Sequence, residues 1–100
     1  MLFHVTHTHT SEVCPGGSPE RLLDFNEFLA RLKAAPGIKV MSGHVSPIQH
    51  VFYFLIESDD FNAVTSALGP LNSLGSGEVT PVLTLDVVST MAETGTFRMT

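Results

Sequence analysis

The stretch Val51-Phe52-Tyr53-Phe54-Leu55-Ile56 carries an apolar or aromatic side chain at every position. A half-buried strand alternates apolar and polar residues with a period of two, and that alternation is missing here. The stretch therefore predicts a strand, from Gln49 to Glu57, whose two faces are both covered. Such a strand belongs in the middle of a sheet, so its neighbours along the chain decide the fold.

The residues before this strand predict two further strands and a helix. Leu2 to His9 is a β-branched and aromatic run interrupted by histidines, which indicates a strand. Ser18-Pro19-Glu20 supplies an N-cap, a proline at the first helical position and an acid near the positive end of the helix dipole. This helix ends at Pro36-Gly37, and Ile38 to Val45 forms the next strand.

The residues after the apolar strand predict one more helix and one more strand. Ser58 can cap a helix that runs to Leu68, and a glycine-containing loop follows at Gly75-Ser76-Gly77. Glu78 to Val88 alternates apolar and polar residues, and Pro81 restricts this strand to a sheet edge or a bulge. We expect a single domain over residues 1–88 and a C-terminal tail over residues 89–100.

The order βαββαβ, with short connections and right-handed crossovers, favours one architecture. It is an α+β, ferredoxin-like sandwich in which a four-stranded antiparallel sheet of order 4-1-3-2 carries two helices on one face. The third strand is then central and the fourth is an edge, as their sequences require. Because the third strand offers apolar side chains to the uncovered face as well, we expect a homodimer packed sheet to sheet.

In element order, length and doubly apolar third strand, nearly the whole chain resembles the dimeric α/β-barrel superfamily. The resemblance implies two ferredoxin-like halves that close around a pocket. Members of that superfamily include haem-dependent and cofactor-independent oxygenases, isomerases, stress proteins and ligand-sensing modules, so the likeness implies architecture more than activity.

Composition excludes several classes of partner. The 100 residues are 43% hydrophobic and carry a formal net charge of −5, which leaves no basic stripe for nucleic acid or for an anionic membrane surface. One cysteine cannot form an intramolecular disulfide, and the residues from Met1 to Thr6 lack the features of a secretion signal. We expect a cytoplasmic protein.

Four histidines and the cysteine meet at one rim of the predicted sheet. His7 and His9 share a strand face because side chains alternate, and adjacent strands lie about 4.8 Å apart. Imidazole and thiolate suit zinc, and also copper or nickel. The predicted ligands are His7, His9, Cys14 and one of His44 or His50, with Glu12 as an additional oxygen ligand. Two other interpretations stay open: ordinary polar residues at strand ends and turns, or a nucleophilic Cys14.

His4 has the opposite parity and is expected on the uncovered face, with Tyr53 nearby. There His4 can serve as a general base or an axial haem ligand, and Tyr53 can orient a substrate. The alternative is that His4 is an interface histidine hydrogen-bonded to its dimer mate, and that Tyr53 packs in the apolar strand with its hydroxyl paired. The sequence thus leaves two functional hypotheses: a small metal-binding module, and a dimeric-barrel enzyme of the oxygenase or isomerase kind acting on a small apolar or aromatic compound.

Overall fold

The computed structural model describes residues 1–96, which form one four-stranded sheet and three α-helices. In chain order these elements are β1 (Leu2–His9), α1 (Pro19–Ala34), β2 (Lys39–Ser46), β3 (Val51–Glu57), α2 (Phe61–Leu68), β4 (Gly75–Val82) and α3 (Leu85–Glu93). Short 3₁₀ helices lie at Ser11–Val13, Pro15–Gly17 and Gly69–Ser73.

The sheet has the order β2-β3-β1-β4, and every neighbouring pair of strands is antiparallel. This is the predicted order 4-1-3-2 counted from the opposite edge, so that prediction is confirmed. In β1, Val5 pairs with Phe54 of β3 on one side and with Val79 of β4 on the other. β4 is an edge strand, the position in a sheet where a proline such as Pro81 is tolerated.

The core lies between one face of the sheet and helices α1 and α2. Alternate residues of β1 and β3 enter it, and they meet apolar side chains from both helices. The buried apolar side chains are Phe3, Val5, Phe28, Leu32, Ile38, Phe52, Phe54, Ile56, Val64, Leu68 and Leu71. Both helices therefore cover the same face, as the sequence predicted, and the opposite face is left uncovered by them.

Local hydrogen bonds fix where the helices begin. The Ser18 hydroxyl accepts a hydrogen bond from the Arg21 amide at 3.2 Å, which confirms the predicted cap of α1. The cap of α2 is Asp60, whose carboxylate accepts from the Asn62 amide at 2.9 Å, whereas Ser58 forms a turn one step earlier by bonding to Asp60. Among residues 1–96, none of the helices combines the length and the hydrophobicity needed to cross a bilayer.

The C-terminal third differs from the prediction in two places. β4 begins at Gly75 and ends at Val82, so the expected glycine loop is part of the strand and the expected strand end at Val88 is wrong. Residues 85–93 form α3 instead, because the Thr84 hydroxyl accepts a hydrogen bond from the Val87 amide at 3.2 Å and so caps a helix. The expected boundary between domain and tail, at residue 88, falls within this helix.

Helix α3 stands apart from the sandwich. Its contacts with the other elements of residues 1–96 are few, and its first residue, Leu85, is 87% exposed. The described chain has a radius of gyration of 15.9 Å, against about 13 Å expected for a compact domain of this length. The molecule is therefore elongated, and an apolar helix surface remains unpacked.

Two glycines allow β4 to approach β1. Gly75 and Gly77 pair with His9 and His7, and a methyl group on either glycine would meet the backbone of β1, at the carbonyl oxygen of Thr8 or of Thr6. The missing side chains also leave β4 bare beside the two imidazoles. Only glycine meets both conditions at these positions.

We expect Gly75→Ala to lower the free energy of unfolding by about 1–3 kcal/mol, because the added methyl group forces β4 away from β1. Chemical denaturation measures the change. Gly69→Ala is the matched control: residue 69 has helical dihedral angles and nothing lies within 4 Å of an added methyl group. A loss of stability in the control as large as in Gly75→Ala would contradict the explanation.

Candidate metal centre

Strand β1 carries two histidines into the core. The alternation that buries Phe3 and Val5 also buries His7, which is 3% exposed, and His9, which is 6% exposed. The two rings stack with their centroids 5.9 Å apart, and His9 also stacks on Phe52 at 4.9 Å. The predicted shared face of His7 and His9 is thus confirmed, and it is the helix-covered face.

His7 is held by a hydrogen bond to the backbone. Its Nε2 lies 2.8 Å from the carbonyl oxygen of Leu71, in the 3₁₀ helix Gly69–Ser73. A carbonyl oxygen only accepts, so Nε2 carries the proton and donates. This bond attaches the connection between α2 and β4 to the central strand, which gives His7 a structural role.

His50 reaches the same place from the turn between β2 and β3. Its φ of 55° is the single positive value for a non-glycine residue in the part of the chain described, and histidine tolerates this region better than most residues. The His9 amide donates to the His50 carbonyl oxygen at 3.1 Å, and the two imidazole rings meet edge to face at 5.3 Å. The turn therefore folds the His50 ring onto the end of β1.

Cys14 lies between the two 3₁₀ helices that follow β1. Its amide donates to the Ser11 carbonyl oxygen at 3.4 Å, and its own carbonyl oxygen accepts from the Gly17 amide at 2.9 Å. Pro15 beside it is buried. These contacts anchor the loop, and the half-buried thiol is free of any disulfide.

Strand β1, the loop after it and the turn between β2 and β3 bring His9, Cys14 and His50 together. One ligand atom from each residue lies within 4.8 Å of the other two. Ligands around a tetrahedral zinc ion, at about 2.0–2.3 Å from the metal, are roughly 3.3–3.7 Å apart. The ligand atoms of this group are therefore close enough to hold a metal ion if the half-buried Cys14 and His50 side chains move towards His9.

The polar atoms of this cluster are poorly paired. Both ring nitrogens of His9, and Nδ1 of His7 and of His50, are buried and have no hydrogen-bond partner among the residues described. Buried polar atoms are nearly always paired, and an unpaired one destabilises the fold by about 1–3 kcal/mol. Burial lowers the pKa of His9 below its ordinary value of 6.5, and the neighbouring His7 and His50 lower it further. His9 is therefore held as a neutral imidazole, the form that binds metals.

The other residues singled out from the sequence lie elsewhere. His44 pairs with Tyr53 across β2 and β3 and is exposed on the uncovered face, so it is separated by the sheet from His9. His4 lies on that same uncovered face, with its ring 6.3 Å from the ring of Tyr53. The group of closely spaced ligand atoms found in residues 1–96 does not include His7, His44 or Glu12.

In comparisons with known proteins, no family model, curated protein or solved structure matches this chain. The likeness to the dimeric α/β-barrel superfamily therefore stays a prediction from element order, length and the doubly apolar third strand.

The lowered pKa of His9 predicts how stability changes with pH. Unfolding returns His9 to an ordinary pKa of 6.5, so below this pH the unfolded chain binds a proton that the folded chain does not. The stability due to neutral His9 is complete above pH 6.5 and is lost as the pH falls towards the lowered pKa. We expect the melting temperature to fall over this range, and to fall less in His9→Phe, which keeps the stacking on Phe52.

Thermal unfolding followed by circular dichroism, between pH 7.5 and 5, checks this expectation. His44→Phe removes an exposed imidazole from the opposite face and serves as the matched control. A wild-type pH dependence that persists unchanged in His9→Phe would show that His9 is not its source.

Proposed function

We propose that this protein is a small metal-binding module that holds a zinc ion, or copper or nickel, through His9, Cys14 and His50. The observation that carries the proposal is the convergence of these ligand atoms to within 4.8 Å of one another. The unpaired nitrogens of His9 support it, because a metal ion would occupy a lone pair that nothing in the described chain engages.

The chemistry of the donors selects the metal. Two neutral imidazoles and a thiolate are the ligands preferred by zinc and copper, whereas magnesium and calcium prefer oxygen donors. Three protein ligands leave one tetrahedral position for water or an exchangeable ligand. Such a site suits a sensor, a buffer or a carrier, and it also permits metal-assisted catalysis.

We expect the untagged protein to bind about one equivalent of Co²⁺ or Zn²⁺ per chain. Cobalt reports the thiolate directly through a charge-transfer absorption band. Cys14→Ser should remove that band, and His9→Gln or His50→Gln should weaken binding by more than about 100-fold, since the loss of a direct ligand exceeds the effect usual for a supporting residue. Metal titration with competition by a chelator measures the affinities.

His44→Gln is the matched control, because it deletes an exposed histidine from the uncovered face of the sheet. Its metal affinity should equal that of the wild type. The proposal fails if the protein binds no divalent metal, or if His44→Gln weakens binding as much as His9→Gln does. His7→Gln should weaken binding only indirectly, through loss of the bond to Leu71.

A second candidate function is catalysis on a small apolar or aromatic compound, in a pocket enclosed by two copies of the chain. The proximity of His4 and Tyr53 on the uncovered face favours it, with His4 as general base and Tyr53 as an orienting hydroxyl. Val51 and Leu55 lie on the same face of β3 and are half-buried. This function requires a homodimer whose uncovered faces meet.

Two features support such a dimer. The uncovered face presents apolar side chains from a central strand, and surfaces of that kind mark interaction sites. The segment that ends β4 and begins α3 adds further exposed apolar side chains, those of Leu83, Leu85 and Val87. A second copy of the chain packed on either surface would bury apolar side chains that a single chain leaves exposed to solvent.

We expect light scattering coupled to size-exclusion chromatography to give twice the mass of one chain. Leu55→Lys should yield a monomer, because it places a charge in the middle of the interface. Leu23→Lys, on the exposed surface of α1, should remain dimeric. A monomeric wild type excludes the second function, as does a dimer in which interlocked side chains leave no cavity around His4 and Tyr53.

A further inference from the structure

A separate cleft of about 310 Å³ opens beside α1. Its walls come from α1, from the loop after β1 and from the segment between α2 and β4. The floor is apolar, since Phe28 and Leu71 are buried and Phe25 and Leu74 are half-buried. Its volume lies at the lower end of the range of small-molecule pockets, about 300–1,000 Å³.

The charged residues of this cleft give it an excess of positive charge. Arg21, Asp24 and Arg31 line it, so two guanidinium groups face one carboxylate in a chain whose formal net charge is −5. Neither arginine forms an ion pair with any acidic residue in the described part of the chain. Both guanidinium groups are thus free to bind an anion.

The two arginines occupy opposite ends of the cleft. Ten residues of helix separate them, which is about 15 Å along the axis of α1. The Arg21 guanidinium extends over Gly17, where a methyl group would lie 2.6 Å from its Nη1. Arg31 stands at the other end, where Phe28 and Pro70 line both the cleft and an adjoining groove of about 230 Å³. Arg31 therefore borders both the cleft and the adjoining groove, whereas Arg21 borders the cleft alone.

We propose that this cleft binds a small amphipathic carboxylate. The apolar body packs on Phe28 and Leu71, and the carboxylate pairs with the Arg31 guanidinium, whose planar fork matches it. Asp24 lies in the same cleft and opposes the bound anion. An inorganic anion would leave the apolar floor unused, and an uncharged hydrocarbon would leave Arg31 unpaired. An amphipathic carboxylate uses both features.

This site is distinct from the metal centre and does not depend on it. No proposed metal ligand lines the cleft. Aromatic stacking nevertheless links the two: Phe25 of the cleft stacks on Phe52 at 4.6 Å, and Phe52 stacks on His9 at 4.9 Å. A ligand that contacts Phe25 is therefore separated from His9 by two aromatic side chains, those of Phe25 and Phe52.

The test compares 2-naphthoate with 2-naphthalenemethanol, which has the same ring system and no charge. Isothermal titration calorimetry on chelator-treated protein gives the affinities, and amide chemical shifts locate the ligand. We expect saturable one-to-one binding of naphthoate, about five- to tenfold tighter than the alcohol, because a charged hydrogen bond to a partly exposed arginine is worth roughly that factor. Shifts should concentrate in residues 24–31 and 70–74.

Three variants test which charged side chain binds the carboxylate. Arg31→Met should lower the affinity for naphthoate to that for the alcohol and leave the alcohol unaffected. Lys33→Met, which removes a cation of α1 that faces a different groove, should change neither. Asp24→Asn should tighten naphthoate binding. All three positions are exposed, so the fold should be retained.

The proposal is overturned if naphthoate shows no saturable binding, if the alcohol binds equally well, or if Lys33→Met has the effect expected of Arg31→Met. Repeating the titration with added Zn²⁺ separates this site from the metal centre. Naphthoate affinity that is the same with and without zinc supports an independent cleft, whereas binding that appears only with zinc assigns the carboxylate to the metal and overturns the proposal.

Discussion

The alternation of side chains along β1 is the constraint on which the site depends. Backbone pairing with β3 and β4 fixes the strand on both sides, so its odd-numbered residues must all enter the space beneath the helices. Phe3 and Val5 fill that space as ordinary core residues. His7 and His9 follow them in the same row and bring polar nitrogens into an apolar layer. A shift of β1 by one residue relative to β3 and β4 would move the histidines to the other face of the sheet, and both the core and the site would be lost.

The two buried histidines resolve this conflict differently. His7 bonds to the Leu71 carbonyl oxygen and thereby joins β1 to the segment before β4. His9 stacks on Phe52 and meets His50 edge to face, but neither of its nitrogens is bonded within the described chain. Stacking satisfies the ring faces and leaves the in-plane lone pair free. The ring nitrogens of a purely structural histidine would be hydrogen-bonded. Those of His9 are neutral and unbonded, which is the condition that a metal ligand requires.

Much of this arrangement could be predicted from the sequence, because it depends on local patterns. Strand order followed from element order, helix α1 from its cap and its apolar spacing, and the shared face of His7 and His9 from the period of a strand. The approach of Cys14 and His50 to one end of β1 followed from the same topology. The sequence could not separate His50 from His44, since the choice depends on a turn in which His50 adopts a φ of 55°. That conformation shifts the ring of His50 to the helix side, while His44 stays in the strand.

The misplaced elements have non-local causes. Glycines at 75 and 77 suggest a loop when considered alone, and they form a strand because the backbone of β1 lies too close for any side chain. Leu83 to Val88 alternates like a strand, yet β1 ends its pairing with β4 at Leu2 and Val82, so the residues beyond have no strand to extend. With pairing unavailable, the Thr84 cap decides in favour of a helix.

The unpaired nitrogens of His9 also connect folding to binding. A buried neutral imidazole without partners destabilises the folded chain. An ion that engages its lone pair would bind the folded state more tightly than the unfolded chain, because the fold brings His9, Cys14 and His50 together. Binding then stabilises the protein in proportion to the logarithm of metal concentration. Protonation competes for the same lone pair, and the burial that lowers the pKa of His9 weakens this competition in mildly acidic solution. The unpaired nitrogens that destabilise the fold are thus the same feature that would favour a bound metal ion.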